Sequence, residues 1–105
     1  MGISDIFKKN GINAGVEAFR NTPGAFLIDV RSPEEFSGGH IPGSINLPIQ
    51  ALRNAPDLLK DDQAPLYVYC HSGARSSRAA KMLMYLGYAH VTDLGGIGAY
   101  AGALE

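Results

Sequence analysis

Apolar residues along the chain form short continuous runs, and amphipathic segments separate these runs. Residues 25–30 and 66–69 are nearly continuous apolar runs, which is typical of strands buried on both faces of a parallel sheet. Residues 44–47 form a shorter run that Pro48 ends, and residues 90–94 alternate enough to predict a last strand. Because helical patterns lie between these strands, we expect an α/β fold: four or five parallel strands, with helices on both faces.

The first quarter of the chain predicts two helices. Ser4 is a plausible cap for a short helix that Asn10-Gly11 closes. Asn13 is predicted to cap a second helix, which ends near residues 22–24. Ile12, between the two, is a weak candidate for a first strand.

Later helices are marked by their terminal residues. Residues 32–35, Ser-Pro-Glu-Glu, combine a capping serine, a proline at the first helical position and acids in the first turn. Residues 49–59 predict a helix broken at its proline, and residues 97–104 predict a weak C-terminal helix. A helix after residue 73 is expected to end at Gly87, a left-handed cap. Three of its side chains are interpreted as core or its edge from their spacing: Met82, Met84 and Tyr85.

Composition and charge narrow the class of protein. Residues 1–105 have the length of a single domain with an ordinary core. A net charge of −1 gives no electrostatic case for nucleic acid or an anionic membrane as a partner. No apolar run approaches the ~18 residues of a membrane span, and residues 1–10 lack a signal-peptide core. One cysteine excludes an intrachain disulfide, which favours a reducing compartment, and we expect the cytoplasm.

The candidate chemistry lies between Tyr67 and Arg78. There an apolar strand delivers the only cysteine, Cys70, to a short polar loop that leads into a helix. This arrangement gathers backbone N–H groups and the positive end of a helix dipole around the thiol. The dipole contributes only ~0.3–1 kcal/mol, less than one pKa unit. Loop amides, kept in place by Gly73, and a cation such as Arg75 are therefore expected to complete the lowering of the thiol pKa.

Three sequence blocks resemble the signatures of the rhodanese family of sulfurtransferases. Residues 70–75, Cys-His-Ser-Gly-Ala-Arg, resemble its active-site loop. Residues 29–36 followed by residues 39–46 resemble its upstream signature, and residues 94–97 resemble its closing signature. The blocks occur in the family's order and span residues 25–98, so the resemblance covers most of the chain.

The resemblance implies covalent sulfur transfer. The Cys70 thiolate would take a sulfur atom from a small donor such as thiosulfate, hold it as a persulfide and pass it to cyanide or a cellular thiol. A sulfur-accepting protein is a further candidate partner. The resemblance also assigns the loop to substrate binding, with the arginine as the side chain that binds the anion: His71, Ser72, Gly73, Ala74, Arg75 and Ser76. We expect no cofactor, and no metal site either, because the three histidines and the cysteine are scattered.

Several residues have a simpler structural interpretation beside the functional one. Cys70 could be a buried structural thiol, and Arg78, next to the loop, could lie on a solvated helix face. Asp29 and Arg31 are expected to support the loop through hydrogen bonds or a salt bridge. Two residues of the upstream signature are interpreted as structural: Glu35 and His40.

Two other functions remain open. An arginine at the end of the loop also resembles phosphatases and arsenate reductases, but those relatives have five residues between cysteine and arginine. Here four residues separate Cys70 from Arg75, and the shorter loop favours sulfur. The third hypothesis is a persulfide carrier that serves a protein partner.

Overall fold

A computed structural model describes residues 3–105 of the protein, with side chains from residue 11 onward. The described residues contain a four-stranded sheet in the order β2-β1-β3-β4, and every neighbouring pair is parallel. The strands are β1 (Phe26–Asp29), β2 (Ser44–Asn46), β3 (Leu66–Cys70) and β4 (Val91–Gly96). The predicted parallel α/β sheet is confirmed.

Helices connect the strands and cover both faces of the sheet. They are α1 (Ile3–Arg20), α2 (Pro33–Ser37), α3 (Ala55–Leu58) and α4 (Ala74–Tyr85), with 3₁₀ helices at Ile49–Asn54 and Ile97–Ala99. Helix α1 packs against β1, β3 and β4 on one face. Helix α4 and the first 3₁₀ helix pack on the other face. None of the helices in the described part of the chain has the length and apolar character needed to cross a membrane.

The alternation of side chains along β3 separates two apolar cores. Val68 and Cys70 belong to the core that contains Leu83 of α4. Tyr69 belongs to the core beneath α1, which contains Val16. Because successive strand residues point to opposite faces, the cysteine lies on the α4 side at the carboxyl end of the sheet.

The N-terminal prediction is corrected in two places. Helix α1 consists of two helical segments that meet at Gly11, whose φ of 49° and ψ of −128° are not helical, so the predicted boundary at this glycine is confirmed. Ile12 is therefore buried in a helix and forms no strand. Asn13 does not cap the helix, because its side chain donates to the carbonyl of Ala99 and accepts from the N–H of Ala101. The Asn13 side chain thus makes a tertiary contact with the C-terminal segment instead of a cap.

Other predicted helix boundaries have different outcomes. Ser32 caps α2 in a complete capping box, and Gly87 follows α4 with a φ of 107°, as expected. The C-terminal helix is wrong beyond the single turn at Ile97–Ala99, because residues 101–105 are irregular. The predicted cap at Ser4 concerns a side chain that lies outside those described.

The outer face of α4 is more apolar than the sequence indicated. Met82, Met84 and Tyr85 are exposed, Tyr85 by 91%, so their assignment to the core is wrong. The helix buries a narrow stripe that includes Ala79 and Leu83. Helical spacing alone does not say which of two neighbouring apolar stripes faces the sheet.

Candidate active site

The loop between β3 and α4 is short and has one left-handed residue. Cys70 ends β3 and Ala74 begins α4, so only three residues make the turn. Gly73 precedes the helix with a φ of 106°, a conformation that side-chain-bearing residues rarely adopt. This geometry brings the first backbone N–H groups of α4 back toward the cysteine.

The Cys70 sulfur atom receives hydrogen bonds from the loop. The N–H of Gly73 donates to Sγ at 2.9 Å. Burial alone would raise the pKa of the Cys70 thiol, but hydrogen bonds from the Ser76 side chain and from the N–H groups of Ser76, Gly73 and Ser72 outweigh burial and lower it. The arrangement therefore favours the thiolate, the reactive form of cysteine.

The Cys70 side chain is also covered. Its exposed fraction is zero, and it packs in the core beside Ala79. The neighbouring loop residues His71 and Ser72 are exposed. A purely structural thiol would have apolar neighbours and a raised pKa, so the hydrogen bonds set this cysteine apart from that class.

Two glycines at the end of β4 shape the floor of the loop, a role that the sequence reasoning missed. A Cβ atom added at Gly96 would lie 2.8 Å from the Cα of Ser72 and closer still to the carbonyl of His71. The carbonyl of Gly95 lies 3.4 Å from the hydroxyl of Ser76. The Leu-Gly-Gly sequence in residues 94–97 was the available signal, but it was assigned only to the closing signature and not to contact with the loop.

Arg75 is held by Glu35 of α2. Nη1 donates to Oε1 at 2.7 Å and Nη2 donates to Oε2 at 2.9 Å, so both carboxylate oxygens are engaged. Glu35 also accepts from the N–H of Ser32, the capping residue. The hydrogen bonds from Arg75 and Ser32 lower the pKa of Glu35 to about 2. The bond to Glu35 also raises the pKa of Arg75.

Asp29 and Arg31 form a buried ion pair at the end of β1. Arg31 Nη2 lies 2.7 Å from Asp29 Oδ2, and the same nitrogen donates to the carbonyl of Gly39. The guanidinium lies 5.8 Å from the ring centroid of Tyr69, the residue before the cysteine. The guanidinium bonds both carboxylate oxygens of Asp29, and its other hydrogen bond goes to Gly39, in the segment after α2. The pair therefore adjoins the strand that carries Cys70, and among the described residues none of these bonds reaches the loop at residues 71–76.

The remaining residues singled out by the sequence, Arg78 and His40, are not among the groups that hydrogen-bond the Cys70 sulfur. Arg78 is exposed on α4, one turn beyond the loop. His40 stacks on Phe36 at 3.7 Å, and its ring bonds the Phe36 carbonyl and pairs with Glu105. Among the described residues, no group of three or more His, Cys, Asp or Glu side chains is placed to hold a metal ion.

Known proteins of one family match this chain. A family model described as a rhodanese-like domain matches residues 13–103. The chain is 40% identical over 82 residues to the uncharacterized protein YqhL of Bacillus subtilis. These residues are 77% of this chain and 64% of that protein. It is 35% identical over 71 residues to thiosulfate sulfurtransferase PspE of Escherichia coli. The matched stretch is 67% of this chain and 68% of that protein.

A putative sulfur carrier protein and a solved structure are also similar to this chain. The chain is 35% identical over 69 residues to the putative sulfur carrier protein YrkF of Bacillus subtilis, covering 65% of this chain and 36% of that one. A solved structure titled rhodanese with anions from E. coli has a TM-score of 0.72 and 32% identity. That similarity covers 77% of this chain and 96% of the solved one.

Proposed function

This chain belongs to the family of rhodanese-like domains, and we propose that it is a sulfurtransferase that carries sulfur as a persulfide on Cys70. The observation that supports this most directly is the 2.9 Å hydrogen bond from the Gly73 N–H to Sγ, together with the hydrogen bonds that lower the thiol pKa. The relative named thiosulfate sulfurtransferase PspE is consistent with the same reaction.

The proposed first step uses thiosulfate or a similar donor. The Cys70 thiolate attacks the outer sulfur of the donor, a new S–S bond forms, and the old one breaks with its electron pair leaving on sulfite. The negative charge then lies on the terminal persulfide sulfur. Backbone N–H groups of residues 72–76 are suited to hold that charge because they cost no reorganisation during the step.

The second step regenerates the thiolate. Cyanide or a cellular thiol attacks the terminal sulfur, which leaves as thiocyanate or a persulfide while the S–S bond electrons return to Cys70. No metal or cofactor enters either step. We place the reaction in the cytoplasm, because a chain with one cysteine has no internal disulfide and suits a reducing compartment.

Access to the sulfur is part of the proposal. Because the Cys70 side chain has no exposed surface, a donor can touch Sγ only after a covering group moves. The exposed side chains of His71 and Ser72 adjoin it in the chain, and we expect these side chains to move while the backbone N–H groups of the loop stay in place.

The test is the intact mass of the protein after exposure to thiosulfate, measured beside Cys70→Ser. We expect the parent alone to gain the mass of one sulfur atom, and to lose it again when cyanide is added. A parent that gains no sulfur, or a variant that gains as much, would overturn the assignment. Hydrolysis of an aryl phosphate by the parent would instead support the phosphatase hypothesis.

A persulfide carrier is the second candidate, and the relative named a putative sulfur carrier protein favours it. A carrier and an enzyme would form the same persulfide but differ in release. Slow turnover with cyanide and fast transfer to a protein thiol would identify the carrier.

A further inference from the structure

The ion pair between Arg75 and Glu35 changes what the loop offers to an anion. An arginine at the end of such a loop is suited to grip an oxyanion with two parallel N–H groups. Here Nη1 and Nη2 already donate to the two oxygens of Glu35, at 2.7 and 2.9 Å. The side chains of Arg75 and Glu35 are 30% and 33% exposed, so the pair lies at the surface where a donor would arrive.

The neighbouring charges cancel in pairs. Glu35 neutralises Arg75, and Asp29 neutralises Arg31 in the buried pair close by. None of these four side chains leaves a positive charge uncompensated. Beside these pairs, the positive groups that face the thiol are the backbone N–H dipoles of the loop. The charge of Arg75 therefore adds little to the attraction of a donor with two negative charges over a donor with one.

We propose that Glu35 sets the donor charge preference of the site, by neutralising Arg75 and so weakening selection for dianionic over monoanionic sulfur donors. This inference rests on the proposed sulfurtransferase function. Glu35 acts through Arg75 and is a positioning residue. Both of its carboxylate oxygens hold the guanidinium, and Oε1 also accepts from the N–H of Ser32 in the capping box of α2.

Two donors with the same reacting group separate charge from chemistry. Thiosulfate is a dianion, and benzenethiosulfonate is a monoanion that also presents a terminal sulfur bonded to a sulfonyl group. Attack by the Cys70 thiolate gives the same enzyme persulfide from both. The bond that breaks leaves its electron pair on sulfite in one case and on benzenesulfinate in the other.

The measured quantity is the ratio of kcat/KM for thiosulfate to kcat/KM for benzenethiosulfonate, with cyanide as the acceptor. Glu35→Gln removes the negative charge and keeps the shape of the side chain, so we expect the ratio to rise about three- to tenfold. Glu34→Gln is the matched control. Glu34 is an exposed acid in the same turn of α2, so this variant changes net charge equally and should leave the ratio near that of the parent.

Removing the positive charge of the pair, instead of the negative one, gives an independent test. Arg75→Gln leaves Glu35 uncompensated, so we expect the ratio to fall below that of the parent. The double variant Glu35→Gln/Arg75→Gln restores a neutral pair, and its ratio should return toward the parent value. This arm keeps the proposal testable if Glu35→Gln alone does not fold.

The outcomes separate the inference from the function beneath it. A parent that takes sulfur from both donors, with Glu35→Gln lowering both kcat/KM values equally, would mean that Glu35 has a structural role only, and the inference fails while the function stands. A ratio that moves equally in Glu34→Gln would also overturn it. A parent that takes sulfur from neither donor overturns the proposed function and the inference together.

Discussion

At the residue scale, Ser76 connects the thiol to the floor of the loop. Its side chain is buried, and its hydroxyl donates to the carbonyl oxygen of Gly73 at 3.1 Å. The carbonyl oxygen of Gly95 lies 3.4 Å from the same hydroxyl. A thiolate is a stronger acceptor than a carbonyl, so the hydroxyl hydrogen can turn to Sγ when Cys70 ionises. One rotatable hydroxyl therefore serves both the neutral and the charged form of the site.

Removing that hydroxyl should make the thiol less acidic. In Ser76→Ala the thiolate loses a hydrogen bond from a side chain, so we expect the pKa of Cys70 to rise. The measurement is the rate of alkylation by iodoacetamide against pH. The rate at about pH 7 should fall roughly threefold or more. Ser77→Ala, one residue on, is the control, and an unchanged profile in Ser76→Ala would contradict this role.

At Gly96, one added methyl group should displace the backbone of the loop. In Gly96→Ala the added Cβ meets the backbone of His71 and Ser72, which must shift. We expect persulfide formation from thiosulfate to slow about tenfold or more, because small displacements of reacting groups are costly.

The control for this change is Gly98→Ala. A Cβ at Gly98 meets no atom within 4 Å, so its rate should match that of the parent. Equal rates for Gly96→Ala and the parent would mean that the loop adapts to the methyl group without loss.

At the scale of elements, α2 joins the upstream signature to the loop that holds Cys70. It has only five residues, and its capping glutamate, Glu35, also binds Arg75 at the start of α4. Two elements that are 40 residues apart in the chain therefore share one carboxylate. A change at the start of α2 is transmitted to the residue that closes the loop.

The acid dependence of stability should report this link. The folded-state pKa of Glu35 is about 2, below the ordinary value of 4.5, so its contribution is complete above about pH 4.5 and is lost as pH falls toward about 2. We expect Glu35→Gln to lower the free energy of unfolding by about 1 kcal/mol at about pH 7. Urea unfolding should show this difference narrowing as the pH falls through that window.

The matched comparison is again Glu34→Gln, which removes a neighbouring charge outside the pair. Its effect on the free energy of unfolding should be small and nearly independent of pH across the same range. A constant difference between Glu35→Gln and the parent down to about pH 2 would show that the carboxylate does not act through its charge.

Local patterns were sufficient where an element is determined by its own residues. The apolar runs predicted β1 and β3, and Ser32 predicted the start of α2, because burial and capping depend on residues close in sequence. The position of Cys70 at the end of a strand followed from the same reasoning. These predictions needed no knowledge of distant partners.

Contacts between distant segments were beyond that reasoning. Asn13 binds residues more than 80 positions away, and Glu35 binds Arg75, so neither partner is visible in a local pattern. Gly96 was assigned to the closing signature, but its packing against the loop depends on the register of β4 beside β3. The sequence thus placed the thiol at the end of its strand and missed the groups that shape its surroundings.

At the scale of the whole molecule, the C-terminal segment is tied back to α1. The side chain of Asn13 bonds both Ala99 and Ala101, and Arg20 donates to the hydroxyl of Tyr100. These contacts hold an irregular segment against the helix on the face opposite α4. The last residue, Glu105, is held separately by two backbone hydrogen bonds with His40.

Asn13→Ala should loosen the segment without affecting the loop. The Ala101 N–H loses its acceptor, so we expect its hydrogen exchange to become faster and the free energy of unfolding to fall by about 1 kcal/mol. Persulfide formation on Cys70 should keep its parent rate. Asn21→Ala, at an exposed asparagine near the end of α1, is the control, and equal exchange in both variants would contradict the assignment.

The covered position of the single cysteine has a consequence for the lifetime of the loaded protein. No second thiol in the chain can attack a persulfide on Cys70, so the protein has no internal route to discharge. In this conformation no part of the Cys70 side chain reaches the surface, so a second molecule can meet the sulfur only after a covering group moves. A persulfide formed on Cys70 would therefore be kept until a nucleophile from outside the chain enters the loop.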